Sequence, residues 1–342
     1  MSGYLLGDEW ENESFLKELQ EANEIITKTS KNIVVIWGNV EVDWSLKGED
    51  GRVRKYNAVF IAQNGKLLGK SYKTLMPKYR EFDDERHFFS LIKEADELGI
   101  GIEQALQPFR VEVGGKEISL GLMLCEDMWS SDYAVDPSEI LMKNGADILI
   151  NISCSPWTWR KNDKRHRVIK EIVEKARVPF LYCNNTGIQN NGKNLFIFDG
   201  NTTVYNNLGS PVLQANDFSE SLLVFDLKNI SSMDCLIESV DKESDIKNLH
   251  SSLVYGITKF FEGLPSKKVV IGLSGGIDSA IVASLLVESV CKENVLAINM
   301  PSKYNSSLTK SAAEKLASNL GIEYKVVPIQ RVVDLTVKQI VN

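Results

Sequence analysis

Residues 269 to 290, VVIGLSGGIDSAIVASLLVESV, constrain the fold more than any other stretch. An apolar run leads into a Ser-Gly-Gly turn and then an amphipathic run opening with Asp278 and Ser279. That is the pattern of a buried strand feeding a phosphate-binding loop on a helix N-terminus. Gly275 and Gly276 let the backbone N–H groups turn inward as a nest, where they and the positive helix end hold an anion. The loop is not a Walker A motif, which requires a lysine just after the second glycine. With no lysine to follow a transferred γ-phosphate, cleavage between the α and β phosphates is expected.

The chain has 342 residues, 43% of them hydrophobic, enough for two cores and two domains. A net charge of -7 argues against a nucleic-acid backbone or an anionic membrane as the main partner. No apolar run nears the length of a membrane span, and MSGYLLGDEWENES lacks the basic-then-apolar order of a signal peptide. Cysteines 125, 154, 183, 235 and 291 are dispersed and odd in number, which fits a reducing cytoplasm. Histidines 87, 166 and 250 are far apart and lack metal-ligand spacing, so no tightly bound metal is expected.

Up to residue 227, short β-rich runs alternate with helical ones. Strands are expected at 33–42, 56–63, 67–72, 109–113, 117–124, 147–152, 180–184, 195–199, 202–206 and 222–226, with hairpin turns at Asn64-Gly65 and Gly114-Gly115. Helices are expected at 11–29, 137–144 and 162–176, giving an α/β layered sandwich over residues 1–227. Residues 228–245 are polar and weakly periodic and read as a linker. From 246 to 342 the order is a helix (246–262), the strand and phosphate loop, a helix (279–290), a strand (294–299), a helix (306–320) and a strand (323–328). This is the start of a parallel, doubly wound sheet.

A second chemical site lies in the first part. ISLGLMLCEDMW, residues 118–129, places Cys125 directly after an apolar strand and before an acidic turn, where it would be exposed at a strained position. Its company is C-E-D-x-W at 125–129, K-x-x-M-P-x-Y at 73–79 and N-x-S-x-S-P at 151–156. Together these resemble the carbon-nitrogen hydrolase (nitrilase) superfamily, which implies an αββα sandwich with Cys125 as nucleophile and Lys73 as the cation beside it. A lysine close to the sulfur lowers the thiol pKa and stabilises the oxyanion of the tetrahedral intermediate, helped by the backbone N–H after the cysteine.

SGGIDS in turn resembles the pyrophosphate loop of the N-type ATP pyrophosphatases, with Gly272, Leu273, Ser274, Gly275, Gly276, Ile277, Asp278 and Ser279 cradling ATP. The two sites in one chain, with MPSKYNSS (300–307) and LASNLGIEY (316–324), resemble the glutamine-dependent NAD synthetase family. The resemblance implies that L-glutamine is hydrolysed through a Cys125 thioester. The ammonia then reaches deamido-NAD adenylated by ATP and Mg²⁺, in a cytoplasmic enzyme that is a homo-oligomer when full length. It also implies that Tyr79, Ser155 and Lys161 line the glutamine pocket.

Three departures accompany the resemblance. The family's general-base glutamate stands four residues before the motif seen here as Ser2-Gly3-Tyr4, a place before Met1, so the first strand and helix of the sandwich are expected upstream. Glu9, Glu11 and Glu13 lie beyond that motif and are expected to face solvent. Asp84 stands where the family's F-x-E-x-R has a glutamate, a shorter carboxylate for positioning Lys73, with Glu85 next to it. Residues 246–342 supply three strands of a synthetase sheet, so the chain is expected to continue at both ends and to be inactive alone. Two other readings stay open: an amidotransferase making a different adenylated product, and a non-catalytic assembly fragment.

Overall fold

The computed structural model describes residues 3–48, 50–236 and 242–341. The chain divides into two compact units, Met1–Val240 and Asp241–Asn342.

In the first unit, α1 (Glu13–Thr29) precedes an antiparallel sheet of β1 (Val34–Lys47), β2 (Val53–Gln63) and β3 (Lys66–Tyr72). Asn64 and Gly65 both have positive φ, 54° and 78°, as a type I′ hairpin requires. Short helices α2 (Asp84–His87), α3 (Leu91–Leu98) and α4 (Ile102–Ala105) follow. The larger sheet is built from β4 (Phe109–Val113), β5 (Lys116–Leu124), β6 (Ile148–Ser153) and β7 (Phe180–Asn184), with α5 (Pro137–Lys143) and α6 (Lys161–Ala176) as its crossovers. A separate hairpin pairs β8 (Thr186–Asn190) with β9 (Leu195–Asp199), and β10 (Thr203–Tyr205) and β11 (Pro211–Gln214) complete the large sheet in the order β11-β10-β7-β6-β5-β4. Its central strands β5, β6 and β7 are parallel.

Strand alternation decides the layers. Leu120, Leu122 and Leu124 of β5 and Ile148 and Ile150 of β6 pack against Val59 and Ile61 of β2, joining the two sheets face to face. Met123 and Leu149 point the other way, onto Leu141 of α5 and Ile169 and Val173 of α6. Leu16 and Leu19 of α1 cover Val40 and Val42 on the outside of the first sheet. The result is the expected αββα sandwich.

Two strands are absent from the sequence reading, β8 and β11, and one expected strand does not form. Residues 222–226 have no regular structure, and Leu222 and Val224 are 88% and 82% exposed. Apolar, β-prone residues make a strand only where a partner edge is free to bond them. The start of the expected linker also belongs to the first unit, because Ile230 is fully buried against Val204 and Val212. The rest of the linker includes residues 237–241, which lie outside the described residues.

In the second unit, α7 (Lys242–Glu262) begins earlier than the expected 246. Strands β12 (Val269–Gly272), β13 (Val295–Asn299) and β14 (Glu323–Val326) are parallel and adjacent in chain order, connected by α8 (Ile277–Val290) and α9 (Ser307–Leu320). Leu273, Ala283, Leu286, Ala297, Ala313 and Ala317 form its core. A further helix, α10 (Gln330–Val341), has no buried residue among those described. No described helix is long and apolar enough to cross a membrane.

Gly121 in β5 tests the helix-facing side of the first unit. A Cβ there would lie 2.8 Å from Leu149 and 3.0 Å from Ala146. Gly121→Ala should therefore destabilise the unit by about 1–3 kcal/mol, read by urea denaturation, and an unchanged midpoint would contradict this packing.

Candidate active site in the first unit and phosphate loop in the second

Cys125 stands where β5 ends, as the first residue of a short 3-10 turn, Cys125–Met128. Its φ is +47°, a left-handed conformation that costs a non-glycine residue energy and turns its side chain out of the strand alternation. The thiol is half-buried rather than openly exposed, and it lines a cavity of about 410 Å³ with Lys73, Tyr4, Ser153, Cys154, Asn185 and Gln189. The Cys125 carbonyl accepts from Asn151 Nδ2 at 3.2 Å, fixing the turn to β6.

Lys73, the residue after β3, is 1% exposed. Its Nζ lies 2.6 Å from Asp84 Oδ2 and 5.0 Å from the centre of the Tyr4 ring. The Tyr4 hydroxyl donates to the other Asp84 oxygen. Burial pulls the Lys73 pKa down, but Asp84 and Cys125 beside it hold it above the usual lysine range, so the ammonium stays charged. The shorter carboxylate thus reaches Lys73 without help from Glu85, which pairs instead with Lys78 at 3.7 Å on the surface.

Burial pushes the Cys125 thiol up, and the pull of Lys73 and Lys161 does not overcome it. The expected net lowering by Lys73 is therefore not found. The Glu126 carboxylate beside the thiol adds to the burial effect in the same direction. At neutral pH the sulfur carries its proton and needs an acceptor to become a nucleophile.

The cavity brings Cys125 and Lys73 together, but its lining does not include Tyr79, Ser155 or Lys161. Tyr79 is 47% exposed, and its hydroxyl donates to the Glu126 carboxylate at 3.1 Å. Lys161 opens α6, where burial, then Arg165, lowers its pKa while the charge of Cys125 raises it. Ser155 is buried, its N–H bonded to Asn184 Oδ1 and its carbonyl to Arg165, which forms a buried pair with Asp199 at 2.7 Å.

Several residues here carried no assignment from sequence. Glu126 accepts from both Tyr79 and Tyr133, and burial raises its pKa. Gln189 Oε1 accepts from the Tyr4 and Leu5 N–H groups at 2.9 and 2.8 Å, holding the N-terminal segment on the cavity wall. Glu126 stood inside the C-E-D-x-W motif, whereas nothing local marked Gln189. Glu11 also departs from expectation: it does not face solvent but bonds the buried Lys55 at 2.7 Å and His87 at 2.8 Å. Glu9 and Glu13 are exposed as expected.

In the second unit, Leu273 is tied to β13 by its N–H to the Ile298 carbonyl at 2.9 Å and by Asn299 Nδ2 to its own carbonyl at 3.0 Å. Gly275 follows with φ +86°, and a Cβ there would lie 2.0 Å from the Thr309 carbonyl oxygen. Only glycine fits. Ser274 and Ser279 hydroxyls lie 3.0 Å apart and accept from the Gly276 and Ser274 N–H groups respectively. Gly276 caps α8, so Ile277, Asp278 and Ser279 form its first turn, with Asp278 exposed and Gly272 at the end of β12.

The carbon-nitrogen hydrolase family profile matches residues 5–232. The chain belongs to that family. A second profile, NAD synthase, matches residues 249–342, so a carbon-nitrogen hydrolase region is followed by an NAD synthase region. The chain is 30% identical to the glutamine-dependent NAD(+) synthetase of Synechocystis sp., covering 96% of this chain and 57% of that protein. It is 28% identical to the synthetase of the same name from Aquifex aeolicus, covering 97% and 59%. Among solved structures, glutamine-dependent NAD+ synthetase from Acinetobacter baumannii in complex with ADP superimposes with a TM-score of 0.79 at 26% identity, over 98% of this chain and 58% of that one. The chain spans a little under three fifths of the length of these relatives.

The raised thiol pKa has a direct readout. Alkylation of Cys125 by iodoacetamide, followed by peptide mass spectrometry, should reach half its limiting rate above the value of free cysteine, about 8.5. A midpoint below free cysteine would mean that Lys73 outweighs burial.

Proposed function

We propose that this chain carries the glutaminase site and the ATP-binding loop of a glutamine-dependent NAD+ synthetase. The observation that carries the reading is the half-buried Cys125 on a left-handed turn beside the buried Lys73–Asp84 pair, in a chain that also holds a Ser-Gly-Gly phosphate loop. Cys125 Sγ attacks the side-chain amide carbon of glutamine while its proton passes to a carboxylate base. The Sγ–C bond forms, and the carbonyl oxygen takes up negative charge that the Lys73 ammonium stabilises. As the C–N bond breaks, the proton is returned to nitrogen and ammonia leaves. Water then cleaves the thioester to glutamate. Tyr79, Ser155 and Lys161 do not line the cavity but stay part of this proposal as glutamine-pocket residues, Lys161 acting on Cys125 through its charge.

In the second unit the loop from Gly272 to Ser279 binds the phosphates of ATP, whose Mg²⁺ arrives with the nucleotide and neutralises its charge. Gly275 allows the close approach, and the N-terminus of α8 favours the anion. The nicotinate carboxylate of deamido-NAD attacks the α-phosphate, pyrophosphate leaves, and ammonia displaces AMP to give NAD+. A cytoplasmic homo-oligomer is part of the same proposal.

The test uses the protein as its source makes it. With deamido-NAD, ATP and glutamine it should form NAD+, AMP and pyrophosphate. Cys125→Ala should lose synthesis from glutamine yet keep synthesis from ammonia, and Asp278→Ala should lose both. A diazoketone analogue of glutamine should label Cys125. Label on Cys154 or Cys183 instead, or release of ADP in place of AMP, would sink the reading.

A further inference from the structure

One buried carboxylate has no part in the chemistry above. Asp127 is 3% exposed and lies in the turn that begins with Cys125. Its Oδ1 accepts the N–H groups of Thr74 at 3.0 Å and Leu75 at 2.8 Å, and its Oδ2 accepts the N–H of Leu124 at 3.0 Å. Thr74 follows Lys73, and Leu124 precedes Cys125. A single side chain thus bonds the backbone on the immediate flank of both residues. Lys73 itself is held on the small-sheet side, its N–H on the Asn57 carbonyl at 2.8 Å and its carbonyl on the Leu91 N–H at 3.0 Å. Without a tie across the sandwich, the Lys73 segment and the Cys125 turn would each follow their own sheet.

The chemistry of the clamp requires a carboxylate. All three partners are donors, so both oxygens must accept, and only the ionised side chain is acceptor-only on both sides. An asparagine would turn an NH₂ toward one of the three N–H groups. Burial pushes the Asp127 carboxyl up to about 6, against the N–H bonds from Leu75, Leu124 and Thr74 and the charge of Lys73, so at neutral pH it remains ionised.

We propose that Asp127 is a positioning residue, which clamps the Lys73 backbone to the Cys125 turn and so fixes the Nζ to Sγ separation on which thiolate formation and oxyanion stabilisation depend. The proposal rests on the reading of Cys125 as nucleophile and Lys73 as its cation.

Thiol labelling separates this role from others by its sign. Removing a nearby negative charge eases thiolate formation, and loosening the fold uncovers the sulfur, so each alone makes Cys125 react faster. Loss of the Lys73 position makes it react more slowly. In the full chain, Asp127→Asn should be alkylated by iodoacetamide at Cys125 about tenfold more slowly than the unmodified protein, with the exposed Cys291 of the second unit unchanged. Where glutamine is hydrolysed, kcat should fall by a similar factor while KM holds. Equal or faster labelling of Cys125 overturns the proposal. Should the variant fail to fold, hydrogen exchange in the unmodified protein decides: the Thr74, Leu75 and Leu124 amides should be among the slowest of the unit, and exchange as fast as that of surface loops overturns the clamp. Labelling needs no glutamine, so a missing glutaminase activity would refute the proposed function and leave this test readable.

Discussion

The first unit turns on the buried ion pair between Lys73 and Asp84. Taking an ammonium and a carboxylate out of water costs several kcal/mol for each ion, and their attraction offsets that cost only when geometry is good and the remaining bonding sites are filled. Here the separation is 2.6 Å and the second Asp84 oxygen is taken by the Tyr4 hydroxyl. The pair therefore recruits three stretches of chain at once: the end of β3, the start of α2 and the segment around Tyr4. Gln189 then pins that segment by its backbone against the cavity.

The same pair divides the work of the lysine. Burial raises the pKa of the Cys125 thiol more than the neighbouring cation lowers it, so the proton stays in place. In the proposed reaction the cation would meet a charge that appears only when the tetrahedral intermediate forms, because its own position is already set. Stabilisation confined to the reacting state is the kind that speeds a reaction, whereas a permanent thiolate would also invite oxidation.

How much of this was legible in the sequence depended on the range of the interaction. Strands β4, β7 and β9 have the expected ends because alternation and turn residues act within a few positions, and Asn64-Gly65 marks its hairpin for the same reason. Cys125, Lys73 and the Ser-Gly-Gly loop were marked by short motifs. The helices α2, α3 and α4 are too short to show a period, and the apolar run at 222–226 read as a strand because composition says nothing of whether an edge is free. The bonds that organise the site span 80 residues between Tyr4 and Asp84, 53 between Thr74 and Asp127, and 185 between Tyr4 and Gln189. No local pattern encodes such pairs. They exist because the two sheets stack and bring those side chains to one end of the sandwich.

The contact between Gly275 and Thr309 has a consequence for the order of assembly. The loop's shape is moulded by a carbonyl more than thirty positions further along the chain, with β13 and the start of α9 in between. A nascent chain that has reached only the end of α8 has the sequence of the anion nest but not its mould. Competence to hold a nucleotide would then emerge abruptly, when α9 docks, rather than grow with length. On the proposed function, that would tie the first ligand-binding event of this unit to a non-local closure, the slow kind of step in folding.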